Sequence, residues 1–242
     1  MHFIDTHVHL QDYKSTNATD IILRSADEGI TKLICVSAEE NNWHMVHSLF
    51  DANPNVIIPA FGIHPWFVSN KTSGWQDRLE VLLQKYPNAL IGECGLDGYK
   101  SLPEKQQEVF IEHINLAHQY QRPLIIHAVK AQSWFESNWN KLPEKFVVHS
   151  YNGKIDFLRA IIKHGGYIGF SASILKNPNV AEILKIIPQD KLLLETDGPY
   201  QSLYSDKESY PWFIKKQLEN LENITGYSMT EQIYQNSLEF IK

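Results

Sequence analysis

The chain has 242 residues, 43% hydrophobic, 21% charged and 12% aromatic, enough for one large domain or two small ones with a sizeable core. Its 22 Lys and Arg against 28 Asp and Glu give a charge of −6, which excludes a polybasic coat for nucleic acid or anionic lipid. Twelve Gly and 11 Pro exclude collagen-like and low-complexity character, which leaves 11 His beside two Cys as the count to explain.

The N-terminal run MHFIDTHVHL has no basic region and carries two His in its apolar stretch, so it reads as neither signal peptide nor anchor. No window approaches the roughly 18 apolar residues of a spanning helix. Cys35 and Cys94 lie in apolar runs, where a lone thiol acts as a small buried hydrophobe. A cytoplasmic chain with reduced thiols and no membrane partner is expected.

In chain order, short apolar runs at 3–8, 32–37, 56–61, 89–93, 123–127, 146–149, 167–170 and 191–195 predict eight strands. Helical periodicity fills the gaps. Trp75, Leu79, Leu82, Leu83 and Tyr86 recur at steps of three and four, as do Phe110, Ile114, Ala117 and Gln121. Pro103 opens a first turn after Ser101, and Gly165 with Gly166 ends the helix through Ile161 and Ile162. Asn177 reads as a cap with Pro178 at the first helical position, and Ser228 with Glu231 as a capping box. Eight units of about 30 residues with no linker predict one α/β domain over 1–242, a single (β/α)8 TIM barrel. A doubly wound sheet would need a Gly-rich loop after the first strand, where Asp5-Thr6-His7-Val8-His9 stands instead.

Polar residues interrupt these runs at strand C-terminal ends, the face that carries barrel active sites. His7 and His9, two apart on one strand, point to the same side and can reach one metal. Glu93, His127, His149 and Asp197 each follow a different apolar run, and burying such groups costs several kcal/mol unless they are paired or metal-bound. Four imidazoles and two carboxylates exceed the needs of one catalytic zinc and suit two divalent cations, with Glu93 the bridging candidate. The mixed N and O set does not choose among Zn, Mg, Mn, Ni and Co. His64, in a loop stiffened by Pro65, reads either as a donor to a substrate anion or as a loop imidazole bonded to a neighbour. His2, His44, His47, His113, His118 and His164 read as surface or packing residues.

The runs Asp5-Thr6-His7-Val8-His9-Leu10, Gly62-Ile63-His64-Pro65, Gly92-Glu93-Cys94-Gly95-Leu96-Asp97, Pro123-Leu124-Ile125-Ile126-His127, Val148-His149-Ser150-Tyr151-Asn152-Gly153 and Glu195-Thr196-Asp197-Gly198-Pro199 together resemble the TatD-like metal-dependent hydrolases, and Asn236 fits that family's closing helix. The resemblance implies a two-metal TIM barrel that hydrolyses DNA phosphodiesters, often as an exonuclease from the 3′ end. It implies His7, His9, Glu93 and Asp197 around one metal, and Glu93, His127 and His149 around the other. Two departures stand out. His127-Ala128-Val129-Lys130-Ala131 lacks the family's Arg and Asp after the strand-five His, and Gln201-Ser202-Leu203-Tyr204-Ser205-Asp206-Lys207-Glu208 replaces a basic Arg-Asn-Glu-Pro stretch.

The expected reaction is attack on DNA, at single-stranded or frayed ends, by a water activated between two metals. In it Asp197 takes the proton, Glu93 bridges, and His64 and Lys130 hold the phosphate. The alternative is hydrolysis of a small amide, lactone or aminoacyl ester at the same binuclear site. Trp66, Phe67, Tyr99, Tyr151, Tyr200, Tyr204 and Tyr210 read as packing or as a base-stacking surface, whereas Trp134 and Trp212 favour packing.

Overall fold

In a computed structural model describing residues 2–202, 204 and 208–242, eight parallel strands form one sheet in sequence order. They are β1 (Phe3–Val8), β2 (Ile30–Val36), β3 (Ile57–Phe61), β4 (Leu90–Asp97), β5 (Leu124–Val129), β6 (Phe146–Val148), β7 (Tyr167–Phe170) and β8 (Leu192–Leu194). Among the described residues nine α-helices surround them: α1 (Ala18–Asp27), α2 (Trp43–Ala52), α3 (Trp75–Lys85), α4 (Pro103–Tyr120), α5 (Gln132–Glu136), α6 (Ile155–Lys163), α7 (Val180–Ile186), α8 (Ile214–Thr225) and α9 (Thr230–Phe240). None is long and apolar enough to cross a membrane. The sheet closes where the backbone N–H of Asp197 donates to His7 O at 2.9 Å and that of His9 to Gly198 O at 2.7 Å. The chain is therefore a (β/α)8 TIM barrel.

Strand periodicity decides what fills it. Ile34, Ala60, Leu90, Ile125, Val147, Tyr167 and Leu193 form one buried cluster, and Phe240 of α9 joins them, its ring 5.3 Å from that of Tyr167. Residues two further along the same strands face the same way, which lifts His127 above Ile125 and His149 above Val147 at the C-terminal mouth. Glu93 is three residues beyond Leu90 and breaks that parity. A register irregularity between Ile91 and Cys94 corrects it, because an irregular step re-aims the side chains that follow.

Several boundaries move. β4 and β5 run past Glu93 and His127 to Asp97 and Val129, so neither site residue ends its strand. Gly165 adopts a left-handed φ of 80° just beyond α6, as its position predicts. Asn177 does not cap a helix starting at Pro178; its side chain accepts from Asn179 N at 2.9 Å and α7 begins at Val180. Ser228 caps nothing either. Its hydroxyl donates to Glu222 at the end of α8, whose carboxylate also accepts from the N–H groups of Met229 and Thr230, a cap supplied from outside α9. Asn236 donates to the carbonyls of Gln189 and Leu192 at 2.7 and 2.8 Å, tying α9 to the entry of β8.

His113 of α4 is fully buried, stacks on Trp75 and accepts the Ile63 N–H at 3.1 Å, so it holds the turn that presents His64. Burial pushes its imidazole from 6.5 down to about 4, so it folds neutral, while the unfolded chain takes up a proton below 6.5. The stability that His113 contributes is then fully present above pH 6.5 and falls by about 3 kcal/mol towards pH 4. Urea unfolding of wild type and His113→Leu across that window should show the stability of wild type relative to the variant falling by about this amount towards pH 4, because other buried groups that titrate there, such as Asp5, raised to about 7, are common to both.

Candidate metal centre

Glu93 lies at the centre of the mouth, 3% exposed. Its Oε2 faces His7 Nε2 at 3.3 Å and His9 Nε2 at 3.7 Å from β1 and the turn after it. Its Oε1 faces His149 Nε2 at 2.6 Å, His127 Nδ1 at 3.1 Å and His64 Nε2 at 3.3 Å. Asp197, following β8, turns Oδ1 to His9 and His7 at 3.4 and 3.7 Å. The structure thus brings His7, His9, Glu93, His127, His149 and Asp197 into one pocket, with His64 beside them.

Outer partners fix which ring nitrogen faces inward. His9 Nδ1 donates to the Val36 carbonyl at 2.9 Å, leaving the Nε2 lone pair for the pocket. His127 Nε2 contacts Asp97 Oδ2 at 3.3 Å, leaving Nδ1, and His149 Nδ1 lies 3.3 Å from Glu195. His64 is the exception. Its Nδ1 accepts the Trp66 N–H at 3.2 Å, so a neutral ring carries its proton on Nε2 and offers the pocket a donor rather than a lone pair. His7 Nδ1 has no hydrogen-bond partner among the described residues.

Burial pushes every imidazole here down, and it prevails for His7 and His64. Carboxylates reverse it for His9 through Asp197, for His127 through Asp97 and Glu93, and most strongly for His149 through Glu93 and Glu195. Burial likewise raises the carboxylates, yet the surrounding imidazoles hold Glu93 well below its usual range and Asp197 below. Asp97 also lies low, through His127, the Trp66 indole and the Tyr99 N–H. An anionic floor lined with imidazole lone pairs is the chemistry of a divalent-cation site.

The spacing agrees. Ligands of one tetrahedral zinc stand about 3.3 Å apart. His7 and His9 are 3.1 Å apart at their Nε2 atoms, and three triads could each hold an ion: His7, His9 and Asp197; His7, Glu93 and His149; His64, Glu93 and His127. The tautomer of His64 sets the last triad apart.

Other expected contacts are less central. Lys130 is exposed on the rim, its Nζ 5.8 Å from the Tyr99 ring centroid. Tyr151 is buried, its hydroxyl donating to Lys154 O at 2.5 Å, so it offers no stacking face. Of the segment after Pro199, residues 203 and 205–207 lie outside the described residues. The sequence alone does not single out Asp97, Glu195 and Lys100, whose partners are distant in the chain, nor Gln201, whose link to nearby Asp197 is completed by two distant serines. The clue for Asp97 and Glu195 was present: both are carboxylates inside otherwise apolar motifs.

A model of the family described as TatD related DNase matches residues 4–242. An uncharacterized metal-dependent hydrolase of Buchnera aphidicola is 29% identical, over 100% of this chain and 96% of its own. A 3'-5' ssDNA/RNA exonuclease TatD of Pantoea vagans is 29% identical over 74% of this chain and 72% of its own. The crystal structure of YjjV, a TatD homologue of Escherichia coli, superposes with TM-score 0.88 at 25% identity, covering 98% of this chain and 95% of that one.

Asp97 accepts the Trp66 indole N–H at 2.6 Å and meets His127 with the same oxygen, so it sets that ring's orientation. Asp97→Ala should lower divalent-metal affinity about 10–100-fold. Titration of Mn²⁺ or Zn²⁺ against a competing chelator measures this, and unchanged affinity would leave ring packing alone to hold His127.

Proposed function

Because this chain belongs to the family of TatD-related DNases, metal-dependent hydrolases acting on ester bonds, we propose that it cleaves DNA phosphodiesters at single-stranded or frayed 3′ ends. The observation that carries this reading is the divided Glu93 carboxylate, one oxygen towards His7 and His9 and the other towards His127 and His149. His7, His9, Asp197 and Glu93 would hold one divalent cation, and Glu93, His127 and His149 a second. When bound, such a pair supplies Lewis acidity at the phosphoryl oxygen and lowers the pKa of the attacking water.

The chain's own residues do the rest. Asp197, kept ionised by its imidazole neighbours, turns Oδ1 inward to take the proton of the attacking water. His64, with its proton on Nε2, donates to a phosphoryl oxygen at the edge of the pocket. Lys100 lies 4.0 Å over the Trp66 ring, and Lys130 approaches Tyr99 on the same rim. These lysines present point charges to a phosphate rather than the planar fork of an arginine. Across the mouth Tyr200 is 52% exposed and edge-on to His9. A strand end laid between Tyr99 and Tyr200 meets stacking faces without a basic groove, which suits a chain of charge −6.

Metal analysis of purified protein, followed by product sizing on end-labelled single-stranded and double-stranded DNA, tests the reading. Stoichiometric divalent metal and stepwise shortening from the 3′ end are expected, and Glu93→Ala and Asp197→Asn should each lower turnover about 10²–10⁴-fold. Turnover of lactones, cyclic amides or aminoacyl esters with none on DNA would move the activity to small substrates. Tyr99→Ala and Tyr200→Ala should raise KM for a single-stranded oligonucleotide about 5–100-fold and leave kcat on a chromogenic phosphodiester within about twofold.

A further inference from the structure

Asp197 has two carboxylate oxygens and the pocket uses one. While Oδ1 faces His9 and His7, Oδ2 accepts the side-chain amide of Gln201 at 2.5 Å. The other end of that amide, Oε1, lies 2.8 and 2.7 Å from the hydroxyls of Ser150 and Ser171, which are 2.7 Å from each other, so one hydroxyl can donate to the other while the other donates to Oε1. Ser150 follows β6 directly beside His149, and Ser171 follows β7, where its own hydroxyl also meets Ser173 at 2.9 Å. Ser171 is fully buried, and Asp197 is 7% exposed.

This chain of bonds has one consistent polarity. A carboxylate only accepts, so the Gln201 NH2 group must face Asp197 and its carbonyl must face the serines. The serines, able to donate, complete the arrangement and oppose a flip of the amide. The backbone bears the same signature: Ser150, Asp197 and Gln201 all hold left-handed φ values, 45°, 52° and 49°, although none is glycine. Such conformations cost free energy at each residue and persist where surrounding structure over-determines them.

We propose that Gln201 is a positioning residue for Asp197. It pins Oδ2 so that Oδ1 alone is presented to the pocket, and Ser150 and Ser171 lock the amide that does the pinning. An unpinned Asp197 could rotate about its terminal torsion and exchange its two oxygens, so the oxygen that takes the proton would be out of line for part of the time. The loss falls on turnover rather than substrate binding, since the side-chain hydrogen bonds of Gln201 go to Asp197 and the serines. The proposal rests on the reading of Asp197 as the site's proton acceptor.

The test is steady-state hydrolysis of a single-stranded oligonucleotide by Gln201→Leu, Gln201→Glu, the double variant Ser150→Ala/Ser171→Ala and Asp197→Asn, each with its metal content and melting curve. Gln201→Glu keeps shape and the serine contacts but replaces the donor facing Asp197 with an acceptor. Gln201→Leu and Gln201→Glu should each lower kcat about 10–100-fold with KM within twofold. The serine double variant should lower kcat in the wild-type background but cost nothing further in Gln201→Leu, because residues acting through one group are non-additive. Loss of activity in Asp197→Asn with wild-type kcat in both Gln201 variants would overturn the role of Gln201 and leave the site reading standing. Wild-type kcat in Asp197→Asn would remove the site reading and this proposal together. If Gln201→Glu fails to fold, the serine double variant decides, since it leaves Asp197 and Gln201 in place.

Discussion

An ionised carboxylate shut into the mouth of an apolar barrel is the constraint around which this molecule is arranged. Glu93 is 3% exposed, and an unmatched charge there would cost several kcal/mol. Five imidazoles carried by four separate strands or the turns after them approach it within 4 Å, and four of them, all but His7, meet a group further out: Val36, Asp97, Glu195 or the Trp66 backbone. The backbone yields to the same demand. Gly95 of β4 holds a φ of 138°, and a Cβ there would overlap the carbonyl of His127 on β5, so the two strands carrying Glu93 and His127 approach as they do only because that residue is glycine.

Much of this was legible in sequence because strand parity is a strong code. His7 and His9, Ile125 and His127, Val147 and His149 are each two apart, so once the strands are placed their inward direction follows. Glu93 was legible as a carboxylate in an apolar run, but the irregular step that turns it inward was not, since nothing in Ile91-Gly92-Glu93-Cys94 distinguishes a regular strand from an irregular one. Residues whose partner is remote stayed hidden. Asp97 matters through Trp66 and His127, Glu195 through His149, and Gln201 through Asp197 and two serines on neighbouring strand ends. The capping error at Ser228 has the same origin, because the true cap is Glu222 of the preceding helix.

The chain's acidity and its expected anionic substrate are reconciled by position. Negative charge at the base of the mouth is buried among the imidazoles of the candidate metal centre, whereas Lys100 and Lys130 stand over aromatic rings, where the proposed reading places an incoming phosphate. Gly169 shows how closely the base is fitted. A Cβ at that position would overlap the Glu195 carboxylate, so the absence of a side chain on β7 makes room for the acid that faces His149.

The seam between β1 and β8 carries a consequence for how the molecule comes into being. Thr6 donates to the Leu194 carbonyl across 188 residues and Thr196 to Asp5 across 191, and these same strand ends carry His7, His9 and Asp197. Contacts so remote bear the largest loop-closure entropy in the chain. The arrangement that sets His7 and His9 beside Asp197 therefore depends on the closing of the barrel rather than on any local element.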